Sequence, residues 1–88
     1  MSLKIIVVGD KTDHGGTVLG GSPAHDVCGK PIARIGDKVD CPRHGENRVV
    51  TAHPTLSVDG VAVAVEGCAT ECGSNLVGSS IASAAAAG

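Results

Sequence analysis

The sequence predicts an all-β fold, a pseudo-threefold arrangement of short β-hairpins, and three observations carry the prediction. The chain has no Phe, Trp or Tyr in 88 residues, and its apolar side chains are mostly Ala and Val, which bury little area each. Gly at 13 positions, Pro at 4 and a supply of β-branched Val and Ile favour short strands and tight turns over helices. One segment also recurs three times, as Gly9-Asp10-Lys11-Thr12-Asp13-His14, Gly36-Asp37-Lys38-Val39-Asp40-Cys41 and Gly67-Cys68-Ala69-Thr70-Glu71-Cys72. Each copy ends in a potential metal ligand, which predicts three arms of one body built around a shared metal.

The elements follow in order along the chain. The first arm starts at Gly9 and continues through His14-Gly15-Gly16-Thr17-Val18-Leu19-Gly20-Gly21-Ser22. This stretch matches Cys72-Gly73-Ser74-Asn75-Leu76-Val77-Gly78-Ser79-Ser80 without a gap. Val27 to Gly36 reads as a hairpin turning at Cys28-Gly29, and Leu56 to Val65 as a second turning at Asp59-Gly60, a dipeptide that accepts positive φ angles. Val27 to Gly36 aligns with Val58 to Gly67. In the middle arm, Val49-Val50 corresponds to Val18-Leu19 only if Pro42 to Asn47 holds an insertion, and His44 sits in it. Ile81 to Gly88 carries no repeat and reads as a small-residue tail with, at most, one marginal helical turn. The expected division is one domain over 1–80 and an Ala-rich tail over 81–88.

Size and charge exclude several functions. A chain of 88 residues buries too little apolar surface for comfortable stability on packing alone. A net charge of −2 gives no patch that neutralises a row of phosphates, and without aromatics nothing stacks on bases, so nucleic-acid binding is not expected. No apolar run reaches the length of a membrane-spanning helix, and Met1 to Val8 is too short for a signal peptide. Synthesis and folding in the cytosol are expected, where four Cys read as ligands or thiols more readily than as two disulfides.

His14, Cys41 and Cys72 converge if the arms are related by an approximate threefold, and His44 and Cys68 are close enough in sequence to complete a tetrahedral shell. Zinc suits such N and S donors, and a structural zinc contributes about 10–16 kcal/mol of folding free energy, which would offset a thin core. Other polar residues have plainer readings. Cys28 is a turn thiol, His25 and His53 are solvated loop residues, and Asp10 and Asp37 bond nearby backbone N–H groups in turns. Arg34 pairs with Asp37 at the surface. Cys41 fits a buried structural thiol as well as a ligand. A Cys41–His44 nucleophile and base pair is one further reading, but no elbow motif or pocket-forming bulk accompanies it.

The segment Gly29-Lys30-Pro31-Ile32-Ala33-Arg34-Ile35-Gly36-Asp37 resembles the Pro-Ala-Ala-Arg signature of the PAAR-repeat family, with Ile32 replacing the first Ala. Asp13-His14-Gly15-Gly16 is similar to the family's His-Gly-Gly element, Cys41-Pro42-Arg43-His44-Gly45 to its Cys-Pro element with a nearby His, and Cys72-Gly73 to its terminal Cys-Gly. The resemblance covers about residues 4 to 80. It implies a zinc-stapled cone that caps the trimeric valine-glycine repeat spike protein (VgrG) of the bacterial type VI secretion system, sharpens the spike and carries effectors. It also implies a protein made in the cytoplasm and then secreted by that apparatus, with a mechanical role and no enzymatic one. The family's three-His, one-Cys zinc site carries over to His14, His44 and Cys72, while its remaining His falls on Cys68. The implied metal shell is therefore His14, His44, Cys68 and Cys72, whereas the repeat by itself favours Cys41. The alternative is a freestanding zinc or thiol redox module using Cys68 and Cys72.

Overall fold

The computed structural model describes residues 2–27, 29–42, 45–54, 56–78 and 83–85. Among these residues eleven strands follow one another: β1 (Ser2–Lys4), β2 (Lys11–Thr12), β3 (Thr17–Val18), β4 (Asp26–Val27), β5 (Lys30–Pro31), β6 (Lys38–Cys41), β7 (Gly45–Arg48), β8 (Ser57–Val58), β9 (Val61–Ala62), β10 (Leu76–Val77) and β11 (Ser83–Ala85). No helix occurs among the described residues, so the fold is all-β as the composition predicts.

Three two-stranded antiparallel ribbons form one level of the molecule: β4 with β5, β8 with β9, and β1 with β11. The first two are the predicted hairpins. Asp59 and Gly60 both have positive φ, at 52° and 78°, as a two-residue hairpin turn with the strand twist requires. The third ribbon joins the two ends of the chain and corrects the expectation of a helical turn in the tail. Ser83–Ala85 is a strand in register with Ser2–Lys4. A helix of a few residues gains too few hydrogen bonds to repay its nucleation, whereas an extended segment beside β1 pairs from the first residue.

Each ribbon feeds one residue into a ring of backbone hydrogen bonds. Ile6 donates its N–H to the carbonyl of Ala64 at 3.0 Å, Ala64 to Ala33 at 2.9 Å, and Ala33 back to Ile6 at 2.8 Å. The bridges Ile5–Val65, Val7–Ile32 and Arg34–Val63 surround this ring in the same cyclic order. All three ring residues are wholly buried. Two are Ala, and small side chains are what allow three backbones to meet on one axis.

Beyond the ring the chain turns outward at Gly9, Gly36 and Gly67, with φ of 95°, 86° and 91°, values that L side chains rarely adopt. The turn is built alike in all three copies. Asp10 N–H donates to Val7 O, Asp37 N–H to Arg34 O, and Cys68 N–H to Val65 O, at 3.0–3.1 Å. A side chain closes each turn from the other side: Asp10 Oδ2 accepts from Val7 N at 3.0 Å, Asp37 Oδ2 from Arg34 N at 2.7 Å, and Cys68 Sγ from Val65 N at 3.5 Å.

Three arms then pair with one another in a closed circuit. The sheet order is β10-β2-β3-β6-β7, and the bridges Val49–Thr70 and Ala69–Asn75 carry the pairing from the end of β7 back to β10. Closure removes the unpaired edges that so short a sheet would otherwise present. Val18, Val49 and Leu76, equivalent positions of the three arms, fill the interior with Val39, Val65 and Cys68. His53, expected in solvent, is 6% exposed, and its Nδ1 accepts the Leu56 N–H at 3.1 Å. Ser22 does the same for His25 N–H at the matching place in the other hairpin. His25 itself is exposed, with Nδ1 3.4 Å from Asp59 Oδ2.

Candidate metal centre

The three arm ends carry His14, Cys41 and Cys72, and their ligand atoms all lie within 4.8 Å of one another. Each holds its place for a local reason. His14 lies in the turn between β2 and β3, where Thr12 Oγ1 accepts from the backbone N–H of His14 at 3.3 Å and of Gly16 at 2.9 Å. Cys41 ends β6 and is wholly buried. Cys72 lies in a tight turn closed by Thr70 N–H to Ser74 O and Gly73 N–H to Thr70 O.

Gly16 explains how the first arm comes close enough. A Cβ built there would stand 2.1 Å from the Asp40 carbonyl oxygen, so only glycine lets the first and second arms touch at this level. The first and third arms are clamped together by Asp13 and Asn75. Asn75 N–H donates to Asp13 Oδ1 at 2.9 Å, Asn75 Nδ2 to Asp13 Oδ2 at 3.2 Å, and Asp13 N–H to Asn75 O at 3.0 Å. The Asn75 backbone N–H, above all, holds the Asp13 carboxyl below the usual value of 3.8. The carboxylate also stands 3.9 Å from His14 Nε2, close enough to bias the orientation of the imidazole.

The electrostatics at Cys72 favour a ligand. The Ser74 hydroxyl lies 3.4 Å from its Sγ and the Thr70 hydroxyl 3.3 Å. Hydrogen bonding by Ser74 first, then by Thr70, then by the Ser74 backbone and Cys41, brings the thiol down from 9.0 to about 5. These contacts favour the thiolate, the form that binds metal. Ligand atoms in a tetrahedral zinc shell stand about 3.3–3.8 Å apart given Zn–N and Zn–S bonds of about 2.0–2.3 Å. A set of one N and two S donors within 4.8 Å fits such an ion with small closing movements.

Of the residues that the resemblance implies as ligands, His14 and Cys72 are in this group, Cys68 is not, and His44 lies outside the described residues, as does Cys28. Cys68 stands in the apolar core with its sulfur on the Val65 N–H, the place that Asp10 and Asp37 occupy in the other arms. The group takes in Cys41, the residue that the repeat pointed to. Thr70 and Ser74, which set the chemistry of Cys72, carry no signal in the sequence. Their equivalents in the first arm are Thr12 and Gly16, so the hydroxyl pair is particular to one arm.

The family profile described as the PAAR motif matches residues 8–78, a span that contains all three arms and both hairpins. The chain belongs to the PAAR motif family. Members are structural components associated with the spike of type VI secretion, and the all-β body with a His/Cys/Cys group able to hold a metal agrees with the PAAR architecture. No curated protein matches the chain at a significant level. Among the described residues no helix is long and apolar enough to cross a membrane.

Proposed function

We infer that this PAAR protein is a spike tip that caps the VgrG trimer, hardens its point and offers a carrier for effectors. The observation that carries the reading is the convergence of three equivalent arm ends on one group of metal ligands, above a cyclic ring of backbone bonds at Ile6, Ala33 and Ala64. A pseudo-threefold monomer can face a trimeric partner with one copy toward each subunit. The ribbon level is the end best suited to that contact, because its two-stranded ribbons present backbone edges that a partner's strands can extend.

His14, Cys41 and Cys72 would hold one zinc, with His44 proposed as the fourth ligand. Zinc supplies no reaction here. A closed tetrahedral site ties the three arm ends together, and Asp13, Thr70 and Ser74 keep the donors oriented. The proposed work is therefore mechanical, and the complete burial of Cys41 does not favour its use as a nucleophile on an external substrate.

The test is capture by VgrG trimers encoded beside this chain, with elemental analysis of the protein purified without chelator. One zinc per chain and trimer binding that weakens after chelation support the tip. Failure to bind any such trimer overturns it.

A further inference from the structure

We propose that Cys41 and Cys72 form a reversible disulfide when the metal leaves, which makes the arm ends a redox modification site. The role of zinc in this inference rests on the metal reading above, whereas the pairing of the thiols rests on geometry. Two of three equivalent arm ends carry sulfur, and the ligand atoms of the group all lie within 4.8 Å of one another. Neither thiol is in a disulfide in this structure. An S–S bond is about 2.0 Å long, so closure needs the sulfurs to approach by less than about 3 Å.

Burial sets the order of events. Cys72 is partly exposed and Cys41 is wholly buried, so an oxidant meets Cys72 first. With a small-molecule disulfide as oxidant, the Cys72 thiolate attacks one sulfur, breaks that S–S bond and releases one small thiolate. Cys41 Sγ then gives up its proton and attacks Cys72 Sγ, which breaks the mixed disulfide and releases the second. The two protein thiols give up two electrons and two protons, and the oxidant leaves as two small thiols. Cys68 is kept out of the exchange by its place in the core, with Sγ on the Val65 N–H.

The metal and the disulfide exclude one another. Both need the same two sulfurs, and oxidation would leave His14 as the last donor of the group. Bound zinc should therefore shield the pair, and loss of zinc should expose it.

The experiment treats the full chain with oxidised glutathione, with and without chelator, then titrates thiols in denaturant and maps disulfides after alkylation, with zinc content measured separately. The chelated protein should fall from four titratable thiols to two. The map should join Cys41 to Cys72, and dithiothreitol should reverse the change. Zinc-loaded protein should react slower by about tenfold or more. Cys41→Ser should stop at a stable glutathione adduct on Cys72, since the resolving thiol is gone. A stable adduct on Cys72 in the unsubstituted protein, a mixture of pairings that includes Cys28 or Cys68, or no loss of thiols would each overturn the proposal. A Cys41–Cys72 bond in a protein that takes up no zinc would sustain the disulfide and sink the zinc reading. Zinc uptake without that bond would do the reverse.

Discussion

A cysteine beside a turn glycine and a cysteine at an arm end look alike on paper, yet they face different physics. Cys68 meets a backbone N–H in an apolar interior and serves as a weak acceptor where the other arms use Asp10 and Asp37. Cys72 meets two hydroxyls near solvent, where a thiolate is favoured. Cys68→Ser should accordingly leave zinc stoichiometry intact. Cys72→Ser should weaken zinc binding by more than the roughly 10–100-fold that follows loss of an outer-shell partner. Competition with a chromophoric chelator measures both. Gly16 is the other residue whose effect is local and large: Gly16→Ala forces a methyl against the Asp40 carbonyl and should cost about 1–3 kcal/mol in denaturant unfolding.

At the scale of elements, no strand among the described residues exceeds four residues, so none would persist alone. Stability comes from the closed circuit of pairings among the arms and from the way each ribbon feeds the central ring. β11 is the outlying piece, attached through its register with β1. Truncation after residue 78 should expose the amides of Ser2–Lys4 to rapid hydrogen exchange while Ile6, Ala33 and Ala64 stay protected. Equal protection of Ser2–Lys4 in both proteins would show that β1 does not depend on β11. The tail thus reads in the sequence as featureless, because its partner strand lies at the opposite end of the chain and leaves no local trace.

For the whole molecule, the interior consists of small side chains such as Val18, Val39, Val49 and Ala64, with Ile6 and Leu76 the largest fully buried ones among the described residues. Such a core stabilises little per residue, and the metal should matter correspondingly. Chelation should lower the unfolding midpoint by 10 °C or more, since a shift of about 4–8 °C per kcal/mol is typical of a domain this small. Leu76→Ala should cost about 2–5 kcal/mol with zinc present. If chelation leaves the midpoint unchanged, the arm ends hold no structural metal.

Read by itself, the sequence determined the fold class, both internal hairpins and the threefold arrangement of the arms. It could do so because glycine spacing, turn dipeptides and the absence of aromatics are local properties of the chain. It also brought His14, Cys41 and Cys72 to equivalent positions. Only the tertiary structure decided that Cys68 belongs to the core, that His53 is buried as a backbone acceptor, and that the last residues form a strand. Each of these depends on what a side chain or backbone meets from a distant part of the chain. The repeat places residues at equivalent positions, but packing decides what each equivalent position touches.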